Sequence, residues 1–81
     1  MDELLTQLKL LLSAEYNIHP DTINISSDLY NELGFDGFKM MDLIDNLQTW
    51  FSIDAADELL HARTIGDIIA IIYDKQIPGG S

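Results

Sequence analysis

Leucines at positions 4, 5, 8, 11 and 12 recur at helical spacing and form one apolar stripe. They predict a helix from about Asp2 to about Tyr16, with Asp2 and Glu3 at the end where the helix dipole favours acids. Asn17 tolerates the left-handed conformation that often closes a helix, and Pro20 blocks continuation. A second stripe runs through Met40, Leu43, Ile44, Leu47, Trp50 and Phe51, which predicts a buried helical face. Asp36 is its N-cap, because a carboxylate accepts the free amide protons of a first turn. Phe38 and Met41 fall off this stripe, so either they widen the core or they form a contact surface. Asp42, Asp45 and Gln48 share the outer faces with them.

After Ser52-Ile53 the pattern restarts. Asp54 is placed to cap a short helix through about His61. Thr64 caps a last helix whose core stripe is Ile65, Ile68, Ile69 and Ile72, and Thr64-x-x-Asp67 is a capping box with Asp in place of Glu. The many β-branched residues here are compatible with a strand, but the capping signal and the lack of a partner strand favour helix. Between the first two helices, residues 17–35 read as a long loop. It carries Ile18, Ile23, Ile25, Leu29, Tyr30 and Leu33, so it is expected to pack beneath the helices, and Ser27-Asp28 is placed to cap one short turn through Leu33. The expected architecture is all-α: a four-helix bundle of three long helices and one short helix, with a long loop between helices one and two.

Composition narrows the function classes. Fourteen Asp and Glu against four Lys and Arg give a net charge of -10. Such a chain repels nucleic-acid phosphates and anionic membranes, and it favours partners with basic patches. There is no cysteine, which removes disulfides and thiolate metal sites and suits a reducing cytoplasm. No apolar run approaches the roughly 20 residues of a membrane-spanning helix. His19 and His61 are far apart and lack spaced ligand partners, so no metal site is expected. Asp42 and Asp45 are close on one helix, but nothing drives their ionisation apart as paired catalytic carboxylates require. No nucleophile–base pair and no phosphate-binding glycine loop is present, so an enzyme is not expected. A single domain over residues 1–77, a flexible tail at 78–81 and a monomer are expected.

The run Glu32-Leu33-Gly34-Phe35-Asp36-Gly37-Phe38 resembles the signature of acyl carrier proteins, in which an acidic-Leu-Gly-x-Asp-Ser-Leu run opens helix two. Leu4 to Tyr16, Asp28-Leu29, the Leu43/Ile44/Leu47/Phe51 spacing and Thr64-Ile65-x-Asp67 extend the similarity over about residues 2–75. The resemblance implies the four-helix carrier-protein bundle. It also implies an attachment position for 4'-phosphopantetheine, the serine after the Asp, and in this chain that position is Gly37. Glycine has no hydroxyl to esterify, and Ser26, Ser27, Thr49 and Ser52 do not match the motif, so no cofactor is expected on this chain. The partner surface implied by the family is helix two, which here offers Asp36, Phe38, Met41, Asp42 and Asp45 to acyl-transfer or synthase enzymes. Lys39 stands where the family often has an acid. Two functions remain open: a carrier-like domain of fatty-acid, polyketide or related acyl metabolism without its attachment residue, or a non-carrier interaction module of the same fold.

Overall fold

The computed structural model describes residues 2–76. The expected tail at 78–81 lies outside the described residues. Four helices follow in order: α1 (Asp2–Tyr16), α2 (Gly37–Phe51), α3 (Ala56–Leu60) and α4 (Ile65–Gln76). Among the described residues there is no strand, only one isolated antiparallel bridge between Asp28 and Thr64.

The apolar stripes converge as their spacing requires. Leu8, Leu11 and Leu12 of α1, Met40, Leu43, Ile44, Leu47 and Phe51 of α2, and Ile65, Ile68, Ile69 and Ile72 of α4 form the buried core. Asn17 is left-handed at φ 57°, and its N–H donates to the Ser13 carbonyl at 3.2 Å, closing α1. At α4 the reciprocal cap forms: the Asp67 N–H donates to Thr64 Oγ1 at 3.1 Å, and Asp67 Oδ2 accepts the Thr64 N–H at 3.2 Å. The Arg63 N–H donates to the same oxygen at 3.0 Å, and this bond above all holds the Asp67 carboxyl below the ordinary aspartate range. The contribution of this cap is therefore present above that ordinary range and is lost as pH falls through the depressed value.

The long loop is an ordered part of the fold. Ile23, Leu29 and Phe35 are buried, and Ile18, Tyr30 and Leu33 pack against the core. A single 3-10 turn spans Pro20–Thr22. The Ser27 hydroxyl, 1% exposed, accepts the Asn24 N–H at 3.0 Å and donates to the Thr22 carbonyl at 3.3 Å. Asp28 caps the turn that follows: its Oδ1 accepts the Tyr30 and Asn31 N–H groups, and Glu32 Oε1 accepts the Asp28 N–H at 2.8 Å. The loop then meets the start of α4 through its backbone. The Leu29 N–H donates to the Arg63 carbonyl at 2.8 Å, while Ile65 and Gly66 donate to the Ser27 and Ile25 carbonyls at 3.1 and 2.8 Å. The loop carbonyls thus satisfy N–H groups that a helix start leaves free.

Three expectations are corrected. Trp50 is 48% exposed instead of buried: Phe51 takes the core position at the end of α2, and its helical neighbour points about 100° away from it. Ile25 is 49% exposed: its carbonyl and its Cγ2 methyl meet α4 at Gly66, and half of the side chain is left to solvent. The N-cap of α3 is Ala55, with no side-chain cap bond, and Asp54 does not fill the role. Gln48 Oε1 accepts the Ala55 N–H at 2.9 Å and Ala55 is buried, which starts the helix one residue later than expected.

Candidate functional site

The start of α2 is built by the residues before it. Gly34 adopts φ 77°, a left-handed turn that side chains rarely take. Phe35 then buries its ring 5.1 Å from that of Tyr16, and its N–H donates to the Leu29 carbonyl at 2.9 Å. Asp36 is extended and caps the helix as expected, with Oδ1 accepting the Lys39 N–H at 2.9 Å. Gly37 is the first helical residue. A Cβ built there meets nothing within 4 Å, so a side chain would project into open space.

Phe38 is 90% exposed and Met41 is 59% exposed. Both therefore stand outside the core and do not widen its stripe. Together with Asp36 and Gly37 they line a shallow groove whose other walls are Tyr30, Met40 and Leu60. Tyr30 and Leu60 were not anticipated as site residues. The Leu59-Leu60 pair held the only hint for the latter: on a helix of one turn just one of two adjacent leucines can face the core. Leu59 is buried and Leu60 is 51% exposed. The Arg63 guanidinium lies over the Tyr30 ring, 5.7 Å from its centroid, at the far wall.

Asp42 and Asp45 do not line this groove. Asp45 is exposed on α2. The Asp42 carboxylate is engaged within the chain: the Tyr16 hydroxyl donates to its Oδ2 at 2.7 Å, and Asn46 Nδ2 donates to both the Tyr16 oxygen at 2.9 Å and Asp42 at 3.3 Å. This triad ties the end of α1 to α2. Burial first, and then the hydrogen bond to Asp42, push the Tyr16 phenol above the ordinary tyrosine range. Its stabilising effect is complete below that range and is lost as pH rises through the raised value. Replacing Tyr16 with Phe keeps the ring against Phe35 and removes the bond. Thermal unfolding is expected to show a loss of about 1 kcal/mol, a fall in Tm of about 4–8 °C.

The remaining polar surface offers little chemistry. Among the described residues no three His, Asp or Glu side chains gather as metal ligands, and no helix is long and apolar enough to cross a membrane. His61 ends α3, with Nδ1 2.8 Å from the Asp57 carbonyl. Lys75 pairs with Glu58 at 2.6 Å between α4 and α3, an exposed bridge of small stabilising value. A phosphopantetheine arm is held through a phosphodiester to a hydroxyl, and residues 36–41 contain none. Ser26 donates to Asn24 Oδ1 at 2.7 Å in the loop, Ser27 is buried, Thr49 lies far along α2, and Ser52 closes its other end. The residues at the start of α2 therefore do not fit covalent attachment of that group.

An acidic bundle of three long helices and one short helix, with a capped, solvent-facing start to the second, defines a carrier-type domain. The family model described as phosphopantetheine attachment site matches residues 6–72. An acyl carrier protein of Azobacteroides pseudotrichonymphae is 31% identical over 64 residues, covering 76% of this chain and 75% of that protein. One from Coprothermobacter proteolyticus is 28% identical over 72 residues, 88% of each. A much longer relative, one of the subunits of the polyunsaturated fatty acid synthase of Thraustochytrium sp., is 29% identical over 73 residues, and there the match covers 88% of this chain but 3% of the relative. The chain belongs to the phosphopantetheine attachment site family, as an acyl-carrier-protein-like domain.

Proposed function

We propose that this chain is a carrier-like domain of fatty-acid, polyketide or related acyl metabolism in which Gly37 occupies the position of the attachment serine. It engages synthase or acyl-transfer enzymes without bearing phosphopantetheine there, and it binds rather than catalyses. One observation carries the reading: Gly37 directly follows the capping Asp36 at the first position of α2, with open space where a side chain would stand. The net charge of -10 supports partners with basic surfaces, since complementary charge accelerates encounter more than it tightens the complex. Asp36, Phe38, Met41, Asp42 and Asp45, all exposed, supply the surface, and Asp42 also holds α2 to Tyr16. The domain spans residues 1–77 and acts as a cytoplasmic monomer. No metal and no nucleic acid takes part.

The second reading is an interaction module of the same fold outside acyl transfer. The 90% exposure of Phe38 favours it, because an aromatic side chain so uncovered on a capped helix serves contact with another protein.

Intact mass after incubation with coenzyme A and a promiscuous phosphopantetheinyl transferase tests the proposal. The parent chain is expected to stay unmodified, and Gly37→Ser is expected to gain the mass of one arm, since the added side chain meets no neighbour. If neither is modified, the transferase does not recognise this surface and the interaction module becomes the better reading. An arm on the parent chain overturns the assignment of residue 37.

A further inference from the structure

We infer that Asp36-Gly37 is a site of spontaneous backbone rearrangement: the aspartate side chain closes on the Gly37 nitrogen and reopens as isoaspartate, which a carboxyl methyltransferase using S-adenosylmethionine then takes as substrate. The reaction needs no partner, and it proceeds whether or not the domain serves acyl metabolism.

The steps balance with water alone. The Gly37 nitrogen attacks Cγ of the protonated Asp36 carboxyl. The N–Cγ bond forms, and the amide proton leaves with the carboxyl hydroxyl as water, giving a five-membered imide. Water then adds to the Asp36 main-chain carbonyl and breaks its bond to the Gly37 nitrogen, which regains a proton. The chain now runs through Cβ and Cγ, and the former main-chain carbonyl is a free carboxylate. Nothing is oxidised or reduced, and the net mass is unchanged.

Asp36 is the one Asp or Asn in the chain that precedes glycine. A Cβ on the following residue crowds the attacking nitrogen and restricts the rotation that closes the ring, and Gly37 has none. After four other aspartates the nitrogen is already engaged. The N–H groups of Thr22, Leu29 and Ile68 donate to the His19, Arg63 and Thr64 carbonyls at 3.0, 2.8 and 3.3 Å, and that of Ala55 donates to Gln48 Oε1 at 2.9 Å. Gly37 stands at the first helical position, where a helix supplies no acceptor, and among the described residues its N–H has no partner.

The cap primes the carboxyl as well. Asp36 Oδ1 accepts the Lys39 N–H at 2.9 Å, which folds the side chain back over the first turn. That donor points at an oxygen on which negative charge develops during attack. Oδ2 has no partner among the described residues and is the oxygen that leaves. Asp36 and Gly37 are exposed, and nothing lies within 4 Å of the Cβ position at 37, so water reaches the imide. Rearrangement undoes the helix start: the chain gains a carbon before α2, and the carbonyl that accepts the Met40 N–H at 2.8 Å leaves the main chain.

The test ages the folded chain for weeks at neutral pH and physiological temperature. Isoaspartate is read by methyl transfer from S-adenosylmethionine with a protein isoaspartate methyltransferase, and its position by peptide fragmentation. Position 36 is expected to lead every other aspartate, with a transient species lighter by one water. Gly37→Ser, whose side chain meets no neighbour, is expected to react about tenfold more slowly, a barrier higher by about 1.4 kcal/mol. Three results overturn the inference. Another aspartate leads, Gly37→Ser ages as fast as the parent, or the folded chain stays intact at 36 while the chain in denaturant rearranges there. The last result would mean that the cap protects the bond it was inferred to prime. Arm transfer to Gly37→Ser reads the carrier assignment separately, and neither outcome there bears on the ageing of the parent.

Discussion

Truncating Leu29 to alanine is expected to cost about 2–5 kcal/mol and to lower Tm by roughly 10–20 °C, among the largest single effects in the molecule. Leu29 belongs to a segment without helix or strand, yet it is fully buried in the common core. Its N–H donates to the Arg63 carbonyl at 2.8 Å, and its own carbonyl accepts the Phe35 N–H at 2.9 Å. The side chain therefore cannot be withdrawn without either leaving a cavity or moving backbone that holds both α4 and the approach to α2. A domain of this size has only some 5–15 kcal/mol of stability in total, so the loss is a large share of it. Chemical denaturation at neutral pH measures it. A change below about 1 kcal/mol, the scale of a surface substitution, would mean that the segment does not share the core.

Gly66→Ala sets two effects of opposite sign against each other. Helix propensity alone favours alanine by up to about 1 kcal/mol. Sterics oppose it: the new methyl group would lie 2.8 Å from Ile25 Cγ2 and 3.1 Å from the Ile25 carbonyl oxygen. The Ile25 methyl sits on a β-carbon and cannot swing far, and the carbonyl is the acceptor of the Gly66 N–H at 2.8 Å. Retreat of Ile25 stretches that bond, so relief of one contact damages another. Overpacking costs about 1–3 kcal/mol, and the net result is a destabilisation of about 1–2 kcal/mol, seen as a fall in Tm of several degrees. A rise in Tm would show that the loop yields at no cost and that propensity governs this position.

Both predictions concern contacts that periodicity does not reveal. The stripes of α1, α2 and α4 were legible because each repeats locally, and the caps at Asp36 and Thr64 were legible because a side chain and its amide partner lie three residues apart. Asp28 and its turn were readable for the same reason. The path of the long loop was not, because it depends on backbone bonds to residues 63–66 that leave no pattern in residue type. Asp42 was expected to serve a partner on a solvated face. It is exposed, and its carboxylate also accepts from Tyr16, 26 residues earlier, a pairing that no local spacing announces. Trp50 fits the α2 stripe by spacing, but at the end of α2 Phe51 is the buried residue and Trp50 is half exposed. Of the residues that line the groove at the start of α2, Asp36, Gly37, Phe38 and Met41 were named from the sequence, while Leu60 and Tyr30 come beside them only through packing of α3 and the loop around α2.

The open space at residue 37 has a practical consequence. The chain contains no cysteine, so Gly37→Cys would place a single thiol at the solvent-facing start of α2, where a side chain meets no neighbour. A thiol-selective reagent could then install a pantetheine-like group, a spin label or a fluorophore at that one atom, with no enzyme and no protecting chemistry. The position that offers no hydroxyl would then take one defined appendage per molecule, placed by hand.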